Sequence, residues 1–147
     1  MSEINIALRP VSMSDAATLL AWRNDPSTRN NSRGREPIPL EQHLAWLSRV
    51  LASTDHVMRM VESGGHPVGV VRADRTADGW ELSWTVAPQA RGRGIGGKML
   101  RTFVSQFEGR LTAYIWKDNL QSARIAAGAG LKRGETSEAD FELWTSE

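Results

Sequence analysis

Between Arg91 and Lys98 the chain reads Arg-Gly-Arg-Gly-Ile-Gly-Gly-Lys, four glycines and three cations in eight residues. Glycine lets a backbone approach a bulky anion closely, and the cations add charge beyond what a tight turn needs. Where such a run opens a helix, unpaired amides and the positive end of the helix dipole favour a phosphate. Two nucleotide readings then have to be answered. Gly92, Gly94 and Gly97 satisfy G-x-G-x-x-G, and Asp118 follows at about the 20-residue spacing of a dinucleotide fold. Only 29 residues remain after Asp118, too few to complete a doubly wound domain. Gly92 to Lys98 also fits most of a P-loop, yet Met99 stands where a hydroxyl should reach magnesium. A nicotinamide-dependent oxidoreductase and a nucleotide hydrolase are both disfavoured, and a phosphate of another kind is expected.

The elements that must position this turn follow from apolar periodicity. Ile4, Ile6 and Leu8 alternate up to Pro10 and predict a first strand. Ser14 is placed to cap a helix through Ala17, Leu20, Ala21 and Trp22. That helix ends near Asp25-Pro26, since the residue before proline is pushed out of helical conformation. Residues 26–38 read as a polar loop. Leu40, Leu44, Leu47 and Leu51 recur at helical spacing beside His43 and Val50, predicting a second helix over 40–52. His56–Glu62, Pro67–Asp74 and Trp80–Val86 then read as an antiparallel meander joined by short turns. In its last strand Trp80, Leu82, Trp84 and Val86 share one face, and Glu81, Ser83 and Thr85 share the wetter one. Met99, Phe103 and Phe107 mark a helix after the glycine turn, leading to a strand Leu111–Trp116 that must pair in parallel. Asn119 caps a final helix ending in Gly128-Ala129-Gly130, and Phe141–Thr145 closes the sheet. The expectation is one α/β (α+β) domain over residues 1–147, with a mixed, mostly antiparallel sheet flanked by helices in the order β-α-α-β-β-β-α-β-α-β.

Arg91-Gly92-Arg93-Gly94-Ile95-Gly96 resembles the [QR]-x-x-G-x-[GA] signature of GNAT N-acetyltransferases. Thr85-Val86-Ala87-Pro88 before it and Asn119-Leu120-Gln121-Ser122 after the next strand resemble that family's flanking segments, and the order of elements is also the family's. The resemblance implies the GNAT fold, acetyl-CoA as co-substrate, no metal, and acetyl transfer to a primary amine. It implies that amides of Arg93, Gly94, Ile95, Gly96 and Gly97 hold the pyrophosphate, with Arg91, Gly92 and Lys98 beside them. The Thr85-Val86 backbone would pair with pantetheine, and Asn119, Ser122 and Arg124 would line the thiol end.

Such a transfer needs a neutral amine, a donor to the oxyanion and a proton for the departing thiolate. The Val86 amide is the family-like oxyanion donor. Glu81 is the candidate base, acting through water, with a solvated strand glutamate as its bland alternative. Ala126 stands where many members have a tyrosine acid, and Leu131 replaces the usual phenylalanine. Ser122, water or direct thiolate release would fill the acid's place, though Ser122 is equally a first-turn helix residue.

Trp22-Arg23-Asn24-Asp25-Pro26-Ser27-Thr28-Arg29 with Gln42-His43-Leu44-Ala45-Trp46 resembles aminosugar N-acetyltransferases of nucleotide-sugar pathways, and also ribosomal-protein amino-terminal acetyltransferases. The acceptor contacts expected from this stretch are Arg29, Asn30, His43 and Trp46, with Arg33 and Asn31 as neighbours of the same kind. Arginine would meet phosphate, asparagine would read hydroxyls, and Trp46 would stack on a base or sugar. Trp22 and Trp46 also suit a core, and His43 suits a satisfied core histidine. An acyl-CoA-binding module without turnover is the competing non-enzymatic class.

Composition bounds the rest. The 147 residues carry a net charge of +1 with cations spread along the chain, unlike a nucleic-acid binder. There is no cysteine, which removes disulfides, thiolate metal sites and a thiol nucleophile. No stretch reaches the roughly 18 apolar residues of a membrane span. The expected partner is a small-molecule amine, with neither nucleic acid nor membrane, in a cytoplasmic protein for which a homodimer stays open.

Overall fold

The computed structural model describes residues 5–26, 28, 36–134 and 140–146. Strand β1 spans Ala7–Pro10, while Ile4 lies outside the described residues. A short 3-10 turn, Met13–Asp15, leads into α1, Ala16–Asn24. Ser14 is not the cap expected of it. It sits inside the turn with its hydroxyl 2.6 Å from Ser12 Oγ. The entry is fixed instead by Asp15, whose carboxylate accepts the Ser12 backbone N–H at 2.9 Å and pairs with Arg9 at 2.8 Å. Arg9 also reaches Glu62 at 3.0 Å, and its guanidinium holds the Asp15 carboxyl below the usual carboxylate range.

Asn24 at the end of α1 brackets Ile38: its carboxamide accepts the Ile38 N–H at 2.8 Å and donates to the Ile38 carbonyl at 3.1 Å. The chain thus returns beside α1 to start α2, Leu40–Ala52. The buried stripe of α2 is His43, Leu47 and Val50, at i, i+4 and i+7, whereas Leu40 overhangs the first turn and is 53% exposed.

Strands β2 (His56–Ser63), β3 (His66–Arg75) and β4 (Gly79–Val86) form the meander. Helix α3 spans Ile95–Val104, β5 Arg110–Trp116 and α4 Leu120–Gly128. Two strands complete the chain, β6 (Lys132–Arg133) and β7 (Phe141–Thr145). The sheet runs β1-β2-β3-β4-β5-β7-β6, and every pair is antiparallel except β4 with β5. β6 has no counterpart in the expected order, because two residues are too short to show alternation.

Period-2 geometry divides β4 between two layers. Leu82 and Trp84 lie opposite the fully buried Ala73 and Val71 on the face covered by α3, whose Met99, Leu100 and Phe103 have no exposed surface. Truncating Phe103 to alanine there would cost about 3–5 kcal/mol. Glu81, Ser83 and Thr85 lie opposite Asp74, Arg72 and Val70 on the other face, under α1 and α2.

The register of β4 with β5 is short. It covers Gly79 with Arg110, Trp80 with Leu111 and Glu81 with Thr112. Beyond Glu81 the two strands separate, β5 continuing along β7 while residues 82–86 of β4 keep only β3. The sheet is therefore split at one end, with free backbone edges lining the gap.

Candidate active site

The split opens into a cavity of about 590 Å³. Residues 81–86 of β4 form one wall, Tyr114, Ile115 and Trp116 of β5 the opposite wall, and α1 and α2 the roof. Of the residues expected to work together, Glu81, Thr85, Val86, Arg91, Asn119, Ser122, His43 and Trp46 all border this space. Arg29 and Asn30 lie outside the described residues.

A second hollow of about 200 Å³ lies over the glycine turn, lined by Gly92, Gly94, Ile95, Gly96, Gly97 and Arg124 among others. It shares Val86, Gln121 and Ile125 with the large cavity, so the two adjoin. Gly92 and Gly94 hold φ of 80° and 76°, the left-handed region where a Cβ is strained. Gly94 is the N-cap of α3 and supplies no side-chain cap. The first intrahelical bond is Lys98 N–H to Gly94 carbonyl at 3.4 Å, which leaves the amides of Ile95, Gly96 and Gly97 directed out of the helix end. Nothing stands within 4 Å of where a Cβ would sit on Gly92 or Gly94. This open amide cradle at a positive helix end suits a diphosphate.

Not every cation of the turn faces that cradle. Arg91 turns toward the roof, where its guanidinium donates to Thr28 Oγ1 at 3.0 Å and to Asp25 at 3.4 Å. Arg93 donates to the Gln89 carbonyl at 3.1 Å. Gly96 lies against α4, because a Cβ there would collide with Ile125 and press Val86 Cγ2 at 3.1 Å. Its missing side chain is what lets α3 approach α4 and the end of β4.

Around the vertex of the split the charges are uneven. Asp74 Oδ1 lies 2.7 Å from His56 Nδ1 and 3.2 Å from Arg72 Nε. Its cross-strand neighbour Glu81 has no hydrogen-bond or ion-pair partner among the described residues and is the one carboxylate on the cavity lining. Asn119 caps α4 by accepting the Ser122 N–H at 3.1 Å and donating to Ser122 Oγ at 3.1 Å. Ala126, at the position without a hydroxyl, is fully buried.

His43 is 4% exposed, and its Nε2 lies 3.1 Å from the Ala16 carbonyl, to which the neutral ring donates. Burial lowers its pKa. Its ring is thus committed to holding α2 on α1, while Trp46, one turn on, carries the aromatic surface of the roof. Among the lining residues that sequence reasoning did not assign to the site are Tyr114, which is the chain's single tyrosine, Arg49 and Arg72. Tyr114 was hidden in an apolar strand, but Arg49 falls at i+7 from Gln42 and i+3 from Trp46, a second stripe readable from helical spacing.

The Acetyltransferase (GNAT) domain family matches residues 5–132. Solved structures agree in fold. The aminoglycoside acetyltransferase AAC(6')-Ib in complex with coenzyme A has a TM-score of 0.80 at 20% identity, over 96% of this chain and 94% of that one. Spermidine N-acetyltransferase from Vibrio cholerae with CoA and spermine has 0.83 at 12% identity, over 95% and 94%. An acetyltransferase from Thermus thermophilus has 0.81 at 21% identity, over 99% and 98%. No curated protein matches the chain in the corresponding search. The chain belongs to the GNAT acetyltransferase family. It is an acetyl-CoA-dependent N-acetyltransferase, in which acetyl-CoA is a co-substrate and not a resident group. Among the described residues no cluster of three potential metal ligands occurs, and no helix is long and apolar enough to cross a membrane.

Proposed function

We propose that this chain, working as one domain, acetylates the primary amine of a small molecule, an amino sugar or nucleotide-linked amino sugar by preference, with Glu81 as the base. One observation carries the reading: the Glu81 carboxylate, unpartnered among the described residues, stands at the vertex of the β4/β5 split, in a cavity that adjoins the amide cradle of α3. Bound acetyl-CoA supplies a thioester whose carbonyl an amine can attack. Glu81 takes the ammonium proton through water, so that the amine reaches the carbonyl neutral. The Val86 N–H, at the free edge of β4, donates to the oxygen that gains charge. Amides from Arg93 to Gly97 fix the pyrophosphate, and the Thr85-Val86 edge aligns the pantetheine as an added strand would be aligned. The thiolate's proton comes from the hydroxyl of Ser122 or Tyr114, both of which border the cavity, and the proton shed by the acylated nitrogen restores that hydroxyl.

The sugar preference draws support from the aromatic roof and walls, Trp46, Trp84, Trp116 and Tyr114, whose faces suit a ring. It also draws support from the aminoglycoside acetyltransferase of like fold, crystallised with kanamycin. Calorimetric titration with acetyl-CoA, followed by thiol release over a panel of amino sugars and peptides, tests the reading. Binding with turnover on an amino sugar supports it. Turnover on peptide amino termini alone moves the acceptor to protein, and acyl-CoA binding with no turnover leaves the non-catalytic module.

A further inference from the structure

The charge on the acceptor side of the cavity points the other way from a polyamine site. Among the described residues, Arg23, Arg49, Arg72 and Arg91 border it against the single carboxylate of Glu81. Arg91 is paired with Asp25, Arg72 with Asp74, and Arg23 also has a partner. Asp74 is shared with His56, whose Nδ1 lies 2.7 Å from the same oxygen. Arg49 is exposed at the rim and has no hydrogen bond or ion pair among the described residues. It projects from the Gln42, Trp46, Arg49 stripe of α2, and the Arg72 guanidinium lies over the Trp46 ring, 5.2 Å from its centroid. A tryptophan thus separates two arginines on one rim. A guanidinium matches the two oxygens of a phosphate or carboxylate.

We infer that the acceptor is an anionic amine, a molecule bearing a phosphate or carboxylate that Arg49 and Arg72 bind on the α2 rim while its amine reaches Glu81. The inference rests on the acyltransferase reading of the cavity and narrows it. A polycation would bring its spare ammonium groups against uncompensated arginine, so charge selects the acceptor before chemistry begins.

The test is calorimetry on the CoA-saturated protein with glucosamine, glucosamine 6-phosphate, muramic acid and kanamycin, which present one sugar amine with no added group, a phosphate, a carboxylate and several further amines. The phosphate or the carboxylate sugar should bind at least about tenfold tighter than glucosamine, and kanamycin no tighter than glucosamine. Which of the two anionic sugars gains identifies the group. In Arg49→Glu the preference should collapse to about twofold or less, through KM more than kcat where turnover is seen, while CoA affinity, read in the same sample, reports the fold. Anionic sugars that bind no tighter than glucosamine, or an unaltered preference in Arg49→Glu, overturn the inference. Failure to bind CoA instead removes the acyltransferase reading, and the same titrations on the free protein still measure the anion preference.

Discussion

Asp74 and Glu81 face each other across β3 and β4, and only one of the two carboxylates is occupied. Asp74 is held by His56 at 2.7 Å and Arg72 at 3.2 Å, while Glu81 opens into the cavity with no partner among the described residues. Like charges side by side on a sheet are unfavourable, and the Arg72 guanidinium on Asp74 offsets that repulsion. Glu81 is left without a cationic partner among the described residues.

Glu81→Gln keeps the side chain's size and removes its basicity. Turnover at neutral pH is expected to fall by about a hundredfold, the lower range for a lost general base, with the affinity for acetyl-CoA unchanged. Equal turnover of variant and parent across the pH range would take Glu81 out of the mechanism.

Gly94→Asp and Gly94→Asn separate backbone strain from charge. Both replace a residue at φ 76° with open space around it, and Asn tolerates that region at a cost of about 1 kcal/mol. The aspartate also sets a negative charge beside the α3 amides, so its acetyl-CoA affinity should drop about tenfold below that of the asparagine variant. Equal affinities, measured on folded protein, would move the pyrophosphate elsewhere.

Gly96→Val should instead damage the fold. The added atoms overlap Ile125 and crowd Val86, an overpacking expected to cost about 1–3 kcal/mol and to lower the melting temperature before any ligand is added. A variant as stable as the parent would mean that α4 can back away.

His43 carries the acid sensitivity of the α1–α2 contact. Burial lowers its folded pKa below the ordinary 6.5. Above that value both states hold a neutral ring and the full stability is present. As pH falls below it, the unfolded chain takes up a proton that the folded chain resists, and stability is lost. His43→Gln should therefore show a shallower decline in melting temperature between about pH 7 and about pH 5. Parallel curves for the two proteins would assign the acid sensitivity to other groups.

Much of the frame was legible because its signals are local. The proline after Asp25, the alternation from Trp80 to Val86 and the Asn119 cap each act within a few residues. What was not legible depends on register or on distant packing. Leu40 has the right spacing for a buried stripe, but the direction of the core was set by Ala16 and β2 and chose His43, Leu47 and Val50. Arg91 belongs to the glycine signature by sequence, yet Asp25 and Thr28, more than sixty residues earlier, turn it to the roof. The pairing of Asp74 with His56 and Arg72 exists only once β2, β3 and β4 are in register, so the isolation of Glu81 could not be read from its neighbours in the chain.

The place of β7 in the sheet bears on how the molecule comes into being. β7 lies between β5 and β6, and its Phe141 stacks on Trp116 with ring centroids 4.4 Å apart at the cavity wall. While the chain is being synthesised, the glycine turn, α3 and α4 all leave the ribosome before residues 141–145, and until those residues arrive β5 has no neighbour on its outer edge. The diphosphate end of the site can therefore take shape on a nascent chain whose acceptor end is still missing a wall. A ribosome-held intermediate would present an open strand edge to other chains, and the interval before β7 docks is when misassembly competes with folding.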